Sequence, residues 1–433
     1  MELTHKKLVA GIVMALAGIA GRSACAQDVS PGESPGLQQL AVAYYANKYR
    51  TEPEEALRRI TIQDRAAGIE NDLVRLLDNH YAGIWYDHAD RGRLKIGMTR
   101  GAETHADEVR SLVEHYGLSA ETDLVPVQFG VSDLEKKQHA VRDEIGELIG
   151  SAHALTSYNT RLNKVVVTAI AALPPNEEAR LKPLSTIPWV YLRRVEVPTL
   201  ASVPVSCNVT YCNPPLRGGR EMHSSNGFRC TIAFIARDRF IFQQYWAITA
   251  GHCIFASGDT KWNARDESGN ESLFGNTAFY TFAGGPGADA GIVSIDLWRS
   301  WATPLPIPAV VVKGSAQTAY DPNYAIRATA FSSLGQILCR TGRTTGTECG
   351  EVSNLGADET ESYNGVNYQL RNMGELDVCG AADGDSGGPL YKNSRAFGLL
   401  SASINAGPTY CFTTYQGIHG AENLMGVSVL LSP

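Results

Sequence analysis

The placement of cysteine divides this chain in two. Of nine cysteines, Cys25 stands alone near the start, and Cys207, Cys212, Cys230, Cys253, Cys339, Cys349, Cys379 and Cys411 all follow residue 206. An even number in an exported chain reads as disulfides. A cross-linked C-terminal part therefore follows an N-terminal part with none. Export is read from the first residues. Lys6 and Lys7 precede an apolar stretch over 8–20, and Ala24-Cys25-Ala26 puts small residues at both positions of a cleavage site. This is the three-part form of a secretory signal, cut after Ala26. The stretch is too short to span a bilayer comfortably. Arg22 argues against a lipoprotein signal at Cys25. No later stretch is long and apolar enough for a membrane. The expected location is extracellular, with the periplasm as the alternative.

A length of 433 residues allows two or three domains. The net charge of -7 and the absence of a basic run with interleaved aromatics speak against nucleic acid as a partner. Residues 27–200 read as mixed α and β. Thr51 and Glu54 form a capping-box signature ahead of Leu57, Ile60, Leu73 and Leu76. Residues 82–87 and 93–99 read as a hairpin. Val109, Leu112, Val113 and Tyr116 repeat at helical spacing and stop at Gly117. A second round follows. Ser132 and Glu135 cap a helix carrying Leu134, Val141, Ile145 and Leu148, and 164–170 is a β-branched strand. Two similar helix-and-strand units are expected. Prolines cluster between 173 and 204, with a strand at 189–197, and mark a linker. Beyond about 205 helical periodicity fades, and short β-rich runs at 231–236, 245–248, 291–295 and 397–401 alternate with turn residues. That texture predicts an all-β barrel or sandwich.

Gly384-Asp385-Ser386-Gly387-Gly388-Pro389 carries the chemistry. A serine hydroxyl is a weak nucleophile and needs a base, a hole for the oxyanion and room for substrate. Glycines around it free the backbone to aim amides at one spot. Upstream stands Thr249-Ala250-Gly251-His252-Cys253 after an apolar run. A lone histidine there would read as a ligand or a core residue. No second histidine lies at ligand spacing, however, and Cys253 has a credible disulfide partner in Cys230, so His252 reads as the base. Asp289 opens an apolar strand, where a half-buried carboxylate can orient the imidazole. Asp296 is the second candidate, and Asp259 and Asp266 sit in polar turns. No metal or other cofactor is implied.

The order His, Asp, Ser together with both hallmark motifs resembles the chymotrypsin-like serine peptidases over about 205–433. The segment from Cys339 to Cys349, with Arg340 and Gly350 beside its cysteines, is similar to a short disulfide loop of the α-lytic protease and streptogrisin group. Those enzymes carry a large α+β pro-region. The resemblance implies a signal peptide over 1–26, an α+β pro-region over 27–200 and a double β-barrel peptidase over 201–433. It implies bridges Cys230–Cys253, Cys339–Cys349 and Cys379–Cys411, leaving Cys207–Cys212 as a local loop. The amides of Gly384 and Ser386 would form the oxyanion hole. Ser401 and Ser403 would lie on the strand that pairs with substrate. The expected partners are protein or peptide substrates and the chain's own pro-region, with no membrane once the signal is removed.

Two features concern activation and specificity. In animal trypsins a new N-terminus pairs with the aspartate before the nucleophile. Leu216-Arg217-Gly218-Gly219 lacks the Ile-Val such a start needs. The resemblance to the bacterial group instead implies a bidentate Arg340–Asp385 ion pair. Asp377, two residues before Cys379, falls where trypsins place a pocket aspartate that selects Arg or Lys. A small or apolar preference is the alternative.

Overall fold

Local sequence chemistry sets the helix starts. The computed structural model describes residues 35–146, 154–170, 178–195 and 214–432, apart from short internal segments, the longest being 240–243, 283–287, 313–320 and 406–410. The signal segment, the linker and Cys207–Cys212 lie outside the described residues. The N-terminal half opens with α1 (Pro35–Tyr49), α2 (Pro53–Ala66) and α3 (Ile69–Leu77). The capping box of Thr51 and Glu54 does not form. Pro53 holds the preceding residue extended, so Glu52 (φ -65, ψ 148) becomes the N-cap and no side chain caps α2. The helical pattern also breaks at Gly68, whose φ of 100° separates α2 from α3. Helix α5 (Val131–Gly146) likewise starts one residue before Ser132, with the Gly130 carbonyl accepting from Leu134 N at 3.0 Å. Ser132 is thus inside the first turn and not a cap. Leu148 lies outside the described residues.

Two three-stranded units follow the same plan. β1 (Tyr81–Asp87) pairs antiparallel with β2 (Arg93–Thr99), and α4 (Ala106–His115) leads to β3 (Thr122–Val127), parallel to β2. α5 then leads to β4 (Ala154–Asn159), antiparallel to β5 (Lys164–Ile170), with β6 (Val190–Val195) parallel to β5. Each unit has its own apolar core. Leu73, Leu94, Ile96 and Val109 fill the first; Val141, Val165, Val167 and Leu184 fill the second.

The C-terminal half is built of curled, partly barrel-like antiparallel sheets with two short helices, α6 (Gly251–Ser257) and α7 (Ile418–Met425). The first sheet contains β7 (Glu221–Ser224), β8 (Arg229–Thr231), β9 (Ile235–Asp238), β10 (Tyr245–Thr249), β11 (Lys261–Arg265), β12 (Glu271–Thr281), β13 (Ala290–Ile295) and β23 (Val427–Val429). A two-stranded piece, β14 (Ala309–Val312) and β15 (Asp321–Ala325), and the short β16 (Ala328–Thr329) connect onward. The second sheet runs β17 (Ile337–Gly342), β20 (Pro389–Lys392), β21 (Arg395–Asn405), β22 (Cys411–Gly417), β19 (Val366–Leu376), β18 (Gly346–Tyr363). A further β17–β18 pairing curls these six strands round on themselves. β18 also pairs with β4, so the second N-terminal unit extends this sheet. On the other flank, Leu37, Ala41 and Tyr45 of α1 join the same core cluster as Ile337 and Leu399.

Candidate active site

The site lies where the two sheets of the C-terminal half meet. β10 and β13 pair antiparallel with Thr249 opposite Gly291. Residues just beyond that pair, His252 on α6 and Asp289 ahead of β13, therefore emerge at one end of the sheet. Gly251 allows the turn between them, because a Cβ there would stand 2.0 Å from the Thr281 carbonyl oxygen. His252 Nδ1 and Asp289 Oδ2 are 2.7 Å apart, and the His252 backbone N–H donates to Asp289 Oδ1 at 2.8 Å. The Ser401 hydroxyl donates to Asp289 Oδ2 at 2.6 Å. Asp289 is fully buried. Burial pushes its carboxyl up, but His252 and these donors outweigh it and hold the group below the usual carboxylate range. Asp296 is engaged by Arg299 at 2.8 Å, Asp259 by Ser225 and local amides, and Asp266 by its own turn.

Ser386 comes from the other sheet. Its loop is pinned on both sides: Thr231 N donates to the Ser386 carbonyl at 2.9 Å, and Gly387 N donates to the Leu400 carbonyl at 2.7 Å. Gly387 has a φ of 82°, and a Cβ there would meet Thr249 Oγ1 at 2.2 Å, so only glycine fits. Ser386 Oγ donates to the Ser401 carbonyl at 3.3 Å. The amides of Asp385, Gly387 and Gly388 are engaged by carbonyls. Those of Gly384 and Ser386, the two expected to hold an oxyanion, have no hydrogen-bond acceptor among the described residues.

Asp385 is fully buried and held mainly by a turn. Its Oδ1 accepts from Thr344 N at 2.7 Å and Thr345 N at 3.1 Å; its Oδ2 accepts from the Thr345 hydroxyl at 2.6 Å and Ala382 N at 3.0 Å. Arg340 Nη1 lies 3.5 Å from Asp385 Oδ2, while its short contacts are Glu348 at 2.6 Å and Thr345 Oγ1 at 2.8 Å. The expected buried ion pair is thus present at 3.5 Å, but through one oxygen instead of two, inside a cradle in which Thr345 bonds both partners. The reason is geometric: the turn after β17 folds back over Asp385 and brings its own amides closer than the guanidinium.

Asp377, the expected pocket carboxylate, is engaged by the N-terminal half. Its carboxylate accepts from Glu351 N at 2.6 Å and from Tyr44 and Lys48 of α1. Sequence reasoning missed this because the two groups stand 333 residues apart in the chain. Ser403 lies opposite Thr413, and its buried Oγ has no hydrogen-bond partner among the described residues. The disulfides Cys230–Cys253, Cys339–Cys349 and Cys379–Cys411 are present. The first ties β8 to the helix bearing His252, and the third ties the loop ahead of Ser386 to β22.

Comparison with known proteins agrees with this geometry. The trypsin family pattern matches residues 217–423. Serine protease 2 of Streptomyces fradiae is 31% identical over 186 residues, 43% of this chain and 93% of that protein. Streptogrisin-C of Streptomyces griseus is 25% identical over 442 aligned positions, covering 99% of this chain and 85% of that one. Among solved structures, Thermobifida fusca protease A is 25% identical, with a TM-score of 0.39, over 50% of this chain and all of that one. The chain belongs to the chymotrypsin-like, trypsin-clan serine peptidases and is a serine-type endopeptidase that works through a Ser/His/Asp mechanism.

Proposed function

We propose that Ser386, His252 and Asp289 are the three members of that mechanism. The observation that carries this reading is the buried Asp289 carboxylate bonded to His252 Nδ1 at 2.7 Å. A proton held on Nδ1 leaves the Nε2 lone pair to act as base. Ser386 Oγ attacks the peptide carbonyl while His252 Nε2 takes its proton. The oxyanion is received by the Gly384 and Ser386 amides, which have no other acceptor among the described residues. Collapse breaks the C–N bond, and His252 returns the proton to the leaving amine. Water then repeats the sequence on the acyl-enzyme. Ser401 orients Asp289 and offers its carbonyl to the substrate main chain, and Ser403 Oγ is a further group for substrate to engage. Removal of the N-terminal half would release the Asp377 carboxylate from Tyr44 and Lys48 of α1, and the side-chain preference before the scissile bond is read as basic or as small or apolar.

The domain reading is a secretory signal over 1–26, a pro-region over 27–200 and a double β-barrel peptidase over 201–433. Support for the pro-region comes from β4, which continues the peptidase sheet, and from the similarity to streptogrisin-C across 99% of the chain. Mass analysis of the secreted species tests this division. A mature form beginning between about 195 and 217 is expected, and an intact N-terminal half on the active enzyme refutes it. Covalent labelling by an organofluorophosphate tests the nucleophile. It should vanish in Ser386→Ala, and persistence would overturn the assignment.

A further inference from the structure

The strand beside Ser386 is bulged, and the bulge is held from behind. Leu400 stands opposite Tyr415 and Ser403 opposite Thr413, so Ser401 and Ala402 together face one residue, Thr414. A bulge takes backbone groups out of the ladder. Here a side chain meets them. Thr414 Oγ1 accepts from Ala402 N at 3.3 Å and lies 3.5 Å from the Ala402 carbonyl oxygen. A hydroxyl has one proton to give. Its shorter acceptor is the Glu359 carboxylate, at 2.9 Å. Thr414 is fully buried and Glu359 is 5% exposed. With its hydroxyl proton donated to the Glu359 carboxylate, the lone pairs of Thr414 are left for the Ala402 N–H.

That N–H belongs to the same rigid peptide plane as the Ser401 carbonyl, and in a trans peptide the two point in opposite directions. Fixing one end fixes the other. The Ser401 carbonyl is the group that accepts from Ser386 Oγ at 3.3 Å. The neighbouring residue on β18, Asp358, meets Arg142 of α5 at 2.8 Å. Successive residues of a strand face opposite ways, so β18 presents one carboxylate to Arg142 of the N-terminal half and the next to Thr414 of β22.

We propose that Glu359, acting through Thr414, is a positioning residue for peptide binding, locking the Ser401–Ala402 peptide so that its carbonyl faces the cleft. This rests on the reading of Ser401 as an acceptor for the substrate main chain. The test uses the secreted enzyme, with rates taken per site titrated by an organofluorophosphate. Two substrates are compared: a tetrapeptide amide, long enough to lie along 401–403, and a single-residue ester. Thr414→Val should lose about tenfold more kcat/KM on the tetrapeptide than on the ester, mainly through KM. Thr414→Ser should restore the ratio, and Glu359→Gln should fall between. Equal losses on both substrates, or a tetrapeptide ratio unchanged from wild type, would overturn the proposal. If Thr414→Val yields no titratable enzyme, the near-isosteric Glu359→Gln decides by the same ratio. A wild-type enzyme that gains nothing from lengthening the peptide refutes the substrate-strand reading itself, and the proposal falls with it.

Discussion

Two seams run through the molecule and are closed by different means. The seam between the two sheets of the C-terminal half, beside Ser386, is closed by backbone bonds such as Thr231 N to the Ser386 carbonyl, next to the Cys230–Cys253 bridge. The seam between the N-terminal and C-terminal halves adds a set of ion pairs to the β4–β18 ladder and the apolar packing of α1. Lys48 meets Glu351 and Asp377, Arg142 meets Asp358, and Arg193 meets Glu375. The buried pair Lys392–Asp64 reverses the polarity. Amides and covalent bridges keep their geometry as solution conditions change, whereas ion pairs respond to salt and pH. The first seam is suited to permanence and the second to parting.

Breaking the first seam's chemistry should give the largest effect. Asp289→Asn is expected to lower kcat by roughly 10⁴-fold, since the imidazole loses the partner that fixes its tautomer. A loss below about tenfold in peptide turnover would remove Asp289 from the mechanism. Next comes the second seam. Lys392 and Asp64 are both buried, at 3.1 Å. Lys392→Met strands a carboxylate and should weaken the precursor by about 3–5 kcal/mol in urea unfolding, with most of the loss recovered by adding Asp64→Leu. Running these in the Ser386→Ala background prevents self-digestion. If the double variant is no better than the single one, the stranded charge is not what weakens this seam.

Arg340→Ala should act less, because Asp385 keeps four other donors from the turn and Ala382. A fall in kcat of about tenfold is expected, and turnover equal to wild type would confine Arg340 to packing. A further effect, on stability and not on rate, is one of pH. Glu70 on α3 accepts from Tyr81 at 2.6 Å and from Ser333, across the second seam, at 3.3 Å. Burial pushes its carboxyl up to about 7 from 4.5, against the pull of these hydroxyls. The raised value favours the protonated form. The docked state is therefore fully stabilised below pH 4.5 and loses that stabilisation as pH rises through about 7. The side chain is partly exposed, so screening trims the effect to roughly 1–3 kcal/mol. Unfolding of Glu70→Gln across this range should be flatter than wild type, and an identical slope would exclude Glu70.

The centre of the site was legible in the sequence because its chemistry is concentrated in short motifs. Ser386 sits among glycines, two of which have a positive φ, His252 follows a glycine crowded by a carbonyl, and Asp289 sits before a run of apolar residues that buries it. What escaped notice depends on groups far apart in the chain. Tyr44 and Lys48 reach Asp377 across more than 300 residues, and Glu359 reaches Thr414 across 55. The cradle of Asp385 escaped for a different reason. Most of its donors are backbone amides, which any residue in that turn would supply. Helix α1, which buries Leu37, Ala41 and Tyr45, went unread although Ser34-Pro35 offers a helix start. The N-terminal units were read as a pair, and their matching strand order gives that pairing a topological form.

The pairing of β4 with β18 has a consequence for the enzyme under the proposed removal of the N-terminal half. A strand that loses its neighbour presents a row of bare N–H and C=O groups, an invitation to stray chains and to other copies of the enzyme. The stretch of β18 from Leu355 to Asp358 would be that row. Asp358, now paired with Arg142, would then stand as an uncompensated charge on the open border. The same carboxylate that fastens the precursor would serve the mature enzyme as a guard against aggregation.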